Sequence, residues 1–364
     1  MSTRIKMETT GTLLLRRKDV ANLLDIDECM LAVEQAFKLY GEGKTLPPKV
    51  LGIHVKDGGF HIKAGLSWAE KAYFVAKVNA NFPGNSKQCG LPTIQGIIVV
   101  CDGKNGRLLA LTDSIEITIV RTGAATGVAA KYLALSTARV VTICGCGNQG
   151  KISLKALLKV RPLEKVYAFD IDDSSSEKFR KDFSKDLEVI SIAGSQLAKS
   201  LGESQIVVTC TPSKEPFIHA ADIKPGTFIA AVGADSEEKQ ELSTELVALS
   251  KIVVDITEQS RTIGEVHHAI EQKKITINHV YAELGMIVSG KKPGRESDEE
   301  IIIFDSTGMA LQDVAAATIV YEKAMEKKVG AIVNFSGQEA HDQGFRSSND
   351  QKNIDTLKLW SPFR

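Results

Sequence analysis

Neither sign of charge is in excess: 45 Lys and Arg stand against 45 Asp and Glu across 364 residues. Nucleic-acid binders draw affinity from phosphate contacts and carry a basic surplus, so no nucleic-acid partner is expected. Cysteine is scarce. Six thiols (Cys29, Cys89, Cys101, Cys144, Cys146, Cys210) are too few to staple a chain of this length. Long apolar runs are missing as well. Met1–Thr10 mixes polar and charged residues and lacks the apolar stretch of a signal peptide. The longest apolar runs, such as Gly96–Cys101, are strand-length and far short of a membrane span. No repeat and no low-complexity tract appears. These absences together predict a reduced, soluble, cytoplasmic protein with no membrane partner. What is present is an ample core, with 43% hydrophobic residues. At roughly 150 residues per domain, the length predicts two domains.

The first third reads as a mainly antiparallel sheet with helices. Met30, Val33, Phe37 and Tyr40 recur at helical spacing in Asp27–Tyr40. Val50–Lys56 and Phe60–Gly65 flank Asp57-Gly58-Gly59, the pattern of a hairpin. Strands follow at Tyr73–Asn79, Thr93–Cys101 and Leu108–Thr112. Asp113 and Glu116 have capping-box spacing ahead of a long helix, Ile115–Leu135. That helix is dense in Gly and Ala and suits a bridge between domains. From Ala138 strands alternate with helices, which implies a parallel sheet covered on both faces. A last helix runs from about Gly308 to Lys327. The polar tail, Ser336–Arg364, is expected on the surface or returning to the first domain.

Gly145-Cys146-Gly147-Asn148-Gln149-Gly150 is a GxGxxG sequence. It follows the strand Val140–Cys144 and opens a helix, and the next strand ends at Asp170, 25 residues past the first glycine. In that context the motif is a dinucleotide fingerprint. Gly145 permits the tight turn, Gly147 admits the pyrophosphate, and Gly150 lets helix and strand pack. The N–H groups of Asn148, Gln149 and Gly150 at the helix start face the phosphates. Asp170 takes the ribose hydroxyls. Ile171, Asp172 and Asp173 follow it with no basic residue, which favours NAD(H) over the 2′-phosphorylated form. Thr211-Pro212 follows the strand Ile206–Cys210 and reads either as a loop bordering the nucleotide or as ordinary loop punctuation.

The CxC pair Cys144/Cys146 has no companion cluster to complete a four-ligand site, so it reads as packing and no metal is expected. His267-His268 are adjacent, and neighbours on a helix do not share a face, which points to a surface or capping role.

Lys77 in a strand, Arg121 within an apolar helix and Thr93 after Gly90-Leu91-Pro92 suit a carboxylate ligand. For any one of them, a surface cation or a structural salt bridge is the more common outcome. At this point the sequence resembles the ornithine cyclodeaminase / μ-crystallin family. The matching stretches are Lys77–Asn85 with Gly90–Thr93, Arg121-Thr122-Gly123-Ala124-Ala125, Gly145–Gly150, Val232-Gly233-Ala234-Asp235 with Glu241-Leu242, and Asp305-Ser306-Thr307-Gly308 with Asp313.

The resemblance implies an α/β fold, a Rossmann-type doubly wound parallel sheet inserted in a second α+β substrate and dimerisation domain. The NAD-binding domain is placed at residues 120–314, the discontinuous one at 1–119 and 315–364, and the assembly is a homodimer. The resemblance assigns Lys77, Thr93 and Arg121 to the substrate and Asp235 to acid/base catalysis. It places Val232 and Gly233 beside the cofactor. Asp235 also suits a helix N-cap. Lys49 stands where the family usually has Arg, which keeps the charge and loses the bidentate fork. Lys63 shares a strand face with His61. If that face lines the pocket, it repels a distal ammonium; if it meets water, it says nothing. The implied chemistry is NAD(H)-dependent hydride transfer at the α-carbon of a small amino or imino acid, foremost reduction of a cyclic ketimine such as Δ1-pyrroline-2-carboxylate to L-proline. The alternatives are ornithine cyclodeaminase, then alanine dehydrogenase or a conjugate-forming dehydrogenase, and a non-catalytic ligand-binding protein.

Overall fold

The computed structural model describes residues 11–334 except 69, 70, 186 and 235, with the backbone alone for 68, 86 and 87. Fifteen strands are described: β1 (Thr12–Leu15), β2 (Lys49–Val55), β3 (Gly58–Trp68), β4 (Ala72–Asn81), β5 (Ile94–Asp102), β6 (Leu108–Asp113), β7 (Val140–Cys144), β8 (Lys165–Phe169), β9 (Glu188–Ile192), β10 (Ile206–Thr209), β11 (Phe228–Ala231), β12 (Lys251–Val254), β13 (Val280–Glu283), β14 (Ile302–Asp305) and β15 (Ala331–Val333). They form two sheets. One runs β15-β1-β6-β5-β4-β3-β2 and the other β13-β12-β14-β11-β10-β7-β8-β9.

The second sheet is parallel throughout. Its central strands, such as β10 and β11, are buried along their whole length, as expected when helices cover both faces. From β7 the chain crosses to β8 on one side and later to β10 on the other. That reversal opens a crevice at the carboxyl ends of β7 and β10.

The first sheet is antiparallel from β2 to β6, as its alternation predicts, but β1 joins β6 in parallel. Strands β1, β13 and β15 have no counterpart among the strands expected from the sequence. The tail Ser336–Arg364 lies outside the described residues. β15 returns the chain to this sheet, antiparallel to β1. The helix Ala310–Lys327 packs on the same sheet, with Leu311 and Val314 against the bare face of Gly65. The domain boundaries expected at 119/120 and 314/315 fall inside the helices Ile115–Leu133 and Ala310–Lys327.

The helix Ile115–Leu133 lies between the two halves. A Cβ on Gly123 would fall 2.7 Å from Ile152, and one on Gly127 would fall 2.7 Å from Met30 and 3.0 Å from Ala156. Small residues are needed because the helix is pressed from both sides. The expected capping box is absent. Asp113 instead accepts from Ile115 N–H and forks onto Arg17 at 3.1 Å, and Ser114 occupies the cap position.

The hairpin turn sits one residue earlier than the Gly-rich stretch suggests. Lys56 and Asp57 form a two-residue turn, with Asp57 at φ +67° and Val55 opposite Gly58. This register decides which side chains meet the second sheet, because side chains alternate with period two. Val50 faces Lys63, Gly52 faces His61, and Lys63 faces Lys77.

Candidate active site

A cleft of about 410 Å³ opens between the two sheets. His54, His61 and Lys63 line it from the hairpin, and Ser236, Gln259 and Thr262 line it from the loops beyond β11 and β12. Lys63 donates to the carbonyls of Thr307 (2.9 Å) and Gly308 (2.7 Å). The loop that supplies them is braced from below. Asp255 accepts from Thr307 N–H (3.2 Å), Thr307 Oγ1 (2.7 Å) and Gly308 N–H (2.6 Å).

Behind Gly308 lies a buried ion triad. Lys77 Nζ is 2.8 Å from Asp313 Oδ1, and Arg121 Nε is 3.1 Å from the same oxygen without hydrogen-bond alignment. Arg121 Nη1 donates to Gln312 Oε1 at 2.7 Å. Burial alone would raise the Asp313 carboxyl, but Arg121 and Lys77 outweigh it and hold the group below the usual carboxylate range. Burial pushes the Lys77 ammonium below the usual lysine range, against the pull of Asp313. Two cations share one anion, so the triad carries a net positive charge while Lys77 is protonated. Gly308 has φ +84°, and a Cβ there would come within 2.9 Å of Arg121 Nη1 and 3.0 Å of Lys63 Nζ. The missing side chain is what lets these two cations approach one point.

The structure therefore brings Lys63, Lys77 and Arg121 together. Lys49 is not with them. It pairs with Ala64 on the opposite face of the sheet and is exposed. Thr93 is half-buried just before β5, with its carbonyl taking Phe82 N–H at 2.8 Å, and it does not border the cleft. Asp235 lies outside the described residues. Ser236 and Glu237, which follow it, border the cleft.

The glycine loop sits at the crevice. Gly145 has φ +102°, a conformation that favours glycine. A Cβ on Gly150 would fall 2.1 Å from the Gly145 carbonyl, so helix and strand can pack only on glycine there. Gly147 has open space around it and caps the helix Asn148–Leu157 with no side-chain partner, leaving the first N–H groups of that helix for an anion. Gln149 Oε1 is buried and unpartnered. Asp170 accepts from Cys146 N–H (2.8 Å) and Asp172 N–H (3.0 Å), which fixes its carboxylate at the end of β8. These features fit a dinucleotide.

Thr211 and Gly233, in the loops after β10 and β11, are joined by one carboxylate, Glu241. Pro212 is exposed and Val232 is buried beside them. Sequence reasoning gave no role to Glu241, Asp255 or Gln312, and Asp313 entered only as part of a motif. The available signal was Gln312-Asp313 within the apolar run Met309–Ala317. His267 and His268 depart from expectation: their rings approach to 5.0 Å, and ring nitrogens and a Glu271 oxygen lie within 4.8 Å of one another. Each ring is engaged, His267 with the Arg261 carbonyl and His268 with that of Lys239.

The profile of the ornithine cyclodeaminase/mu-crystallin family matches residues 10–328. The chain belongs to that family. An alanine dehydrogenase of Archaeoglobus fulgidus is 40% identical over 89% of this chain and 98% of its own length. Among solved members, an archaeal alanine dehydrogenase dimer with bound NAD superposes with TM-score 0.85 at 37% identity, covering 89% of this chain and 99% of that one. The Δ1-pyrroline-2-carboxylate reductase of Thermococcus litoralis, in complex with NADH and L-proline, superposes with TM-score 0.81 at 34% identity, covering 88% and 100%. Its fold is thus that of the family, a Rossmann-type sheet joined to a second α+β unit.

Proposed function

We propose that this protein is an NAD(H)-dependent enzyme that transfers hydride at the α-carbon of a small amino or imino acid, foremost by reducing a cyclic ketimine of the Δ1-pyrroline-2-carboxylate type. The observation that carries this reading is the meeting of Lys63 and Arg121 at Gly308, with Lys77 tied to Arg121 through Asp313, beside a cleft that Lys63 lines. An α-carboxylate at that point would gain the Arg121 guanidinium and the Lys63 ammonium. The N–H groups of Gly147–Gly150 would hold the pyrophosphate and Asp170 the ribose. Acid repulsion at Asp172 and Asp173 favours the unphosphorylated dinucleotide.

When bound, NADH supplies the hydride. The chain's own work is to fix the carboxylate, aim the α-carbon and move a proton. Hydride adds to the carbon of C=N while the nitrogen takes a proton, and Asp235 is the group assigned to that proton. A second reading, alanine dehydrogenase, is favoured by the 40% identity to an enzyme of that name.

Two copies are proposed to pair through the other face of the first sheet. Leu51, Ile53, Val55, Phe60, Phe74 and Ile97 share that face by register and are 37–54% exposed. So large an apolar surface marks an interface. Among the described residues no helix is long and apolar enough to cross a membrane.

The test is NADH absorbance with pyrroline-2-carboxylate, piperideine-2-carboxylate, and pyruvate plus ammonia, and ammonia release from ornithine with NAD⁺, a conversion that leaves NADH unchanged overall. Fastest oxidation with a cyclic imine supports the first reading, and with pyruvate plus ammonia the second. Tight NADH binding with no turnover on any of the four overturns both. Asp235→Asn should bind NADH normally and turn over about a hundredfold more slowly; full turnover would remove Asp235 from the proton step.

A further inference from the structure

Three carboxylates outside the ion triad are buried in series beneath the cleft, and the chemistry above uses none of them. Glu241 is wholly buried. Its Oε1 accepts from Thr211 N–H and Thr211 Oγ1, both at 2.7 Å, and its Oε2 accepts from Gly233 N–H at 3.1 Å. Thr211 lies two residues past β10 and Gly233 two past β11, and these strands are neighbours. One side chain therefore ties together the two loops at the carboxyl ends of the central strands. The fit excludes alternatives, since a Cβ on Gly233 would lie 2.3 Å from Glu241 Oε2.

Glu241 is itself clamped. Its N–H and that of Leu242 donate to the two oxygens of Glu265, at 2.9 and 3.0 Å, and its carbonyl accepts from Phe217 and Ile218. Glu265 opens the short helix Glu265–Glu271, whose Val266 N–H donates to Asp305 at the end of β14. A strut held this firmly at its base can set the position of what it holds at its tip.

We propose that Glu241 is a positioning residue. Its ionised carboxylate locks Thr211 to Gly233, and so sets the loop that carries Asp235 and the floor on which the dinucleotide rests. The hydrogen bonds favour the ionised form. All three of these donors point at the carboxylate, and a proton on it weakens its acceptance from them. Protonation therefore loosens the joint.

The groups that face Glu241 decide where this occurs. Burial pushes Glu241 up to about 6, with the Thr211 and Gly233 hydrogen bonds pulling against it. Burial, and then the charge of Glu241, push Glu265 well above the usual carboxylate range, with the N–H bonds of Glu241 and Leu242 pulling against them. The thiols of Cys144 and Cys210 are raised by burial and stay neutral. Asp305, raised by burial to about 7, takes the Val266 N–H and does not touch Glu241. The Lys239 carbonyl nearby is held by His268.

The inference rests on the proposed function only for turnover. Its cofactor half stands alone, and the experiment is built on that half. NAD⁺ binding to the full chain is measured by calorimetry from pH 5.5 to 8. Wild type should lose affinity as pH falls through about 6, by up to tenfold per unit for one proton. Thr211→Val removes one donor to the ionised form, which raises the Glu241 pKa further, so the loss should begin at higher pH. Glu241→Gln should bind more weakly at pH 7.5 and show no acid limb. With an active imino acid, that variant should lose kcat more than it raises KM. A flat wild-type profile, an unshifted limb in Thr211→Val, or a wild-type profile in Glu241→Gln each overturns the proposal. If Glu241→Gln does not fold, the Thr211→Val shift decides. Pure loop packing would weaken binding without moving a limb. A wild type that binds NAD⁺ with this limb but reduces no imino acid sinks the proposed function and leaves the Glu241 inference intact.

Discussion

Asp313→Asn strikes the ion triad at its one anion. In the folded chain Asp313 is 1% exposed, Lys77 3% and Arg121 6%. At 2.8 and 3.1 Å the two attractions amount to roughly 5–6 kcal/mol each at an effective dielectric of about 20. Most of that offsets the desolvation of three ions, so it is not the expected loss. The loss is set by what the variant leaves behind, two buried cations without a counter-charge. Removing one partner of a buried pair costs about 3–5 kcal/mol. Asn keeps the shape and a carbonyl for Lys77, and Lys77, whose proton burial has already loosened, can shed it. Arg121 cannot. The lower end, about 3 kcal/mol at pH 7.5, is therefore expected. Urea unfolding at equal protein concentration reads it as a lower midpoint with unchanged slope. A carboxylate ligand should recover part of the loss, because it becomes the counter-ion of Arg121. A variant with the wild-type midpoint would refute the buried triad.

Three other outcomes follow from the same geometry. Asp170→Ala should weaken NADH binding by about 10- to 100-fold, from charge-assisted hydrogen bonds worth about 1.5–3 kcal/mol, and leave NADPH no worse; titration of both dinucleotides checks this, and an unchanged preference would remove Asp170 from the ribose. Gly308→Ala meets left-handed backbone and two cation contacts near 3 Å, so it should cost about 1–2 kcal/mol and raise the imino-acid KM at least tenfold; an unchanged KM would place the carboxylate elsewhere. Leu51→Asp with Phe74→Asp should yield monomers in sedimentation, and a persisting dimer would move the interface off this face.

Much of the nucleotide half was legible in the sequence. GxGxxG between a strand and a helix, with Asp170 at the next strand end, needs only local chain geometry. β7 appears with the same boundaries, Val140–Cys144, in sequence and structure, because a continuous apolar run bounded by turns is a local signal. The hairpin was legible too, but not its turn. Asp57 rather than a glycine takes the left-handed position, and this fixes the register.

The substrate half was another matter. Lys49 and Lys63 are both strand cations near one hairpin, and nothing local says which of them faces the cleft. Pairing of Val50 with Lys63 settles it, turning Lys63 inward and Lys49 outward. Asp313 lies 236 residues from Lys77, and Glu241 meets Thr211 only because β10 and β11 are neighbours. The sequence by itself determined the neutral charge, the two kinds of sheet and the dinucleotide loop, since composition and short-range periodicity suffice for these. Only the tertiary structure decided which charges are buried together, because long-range pairing and burial, not residue type, choose a cation's partner.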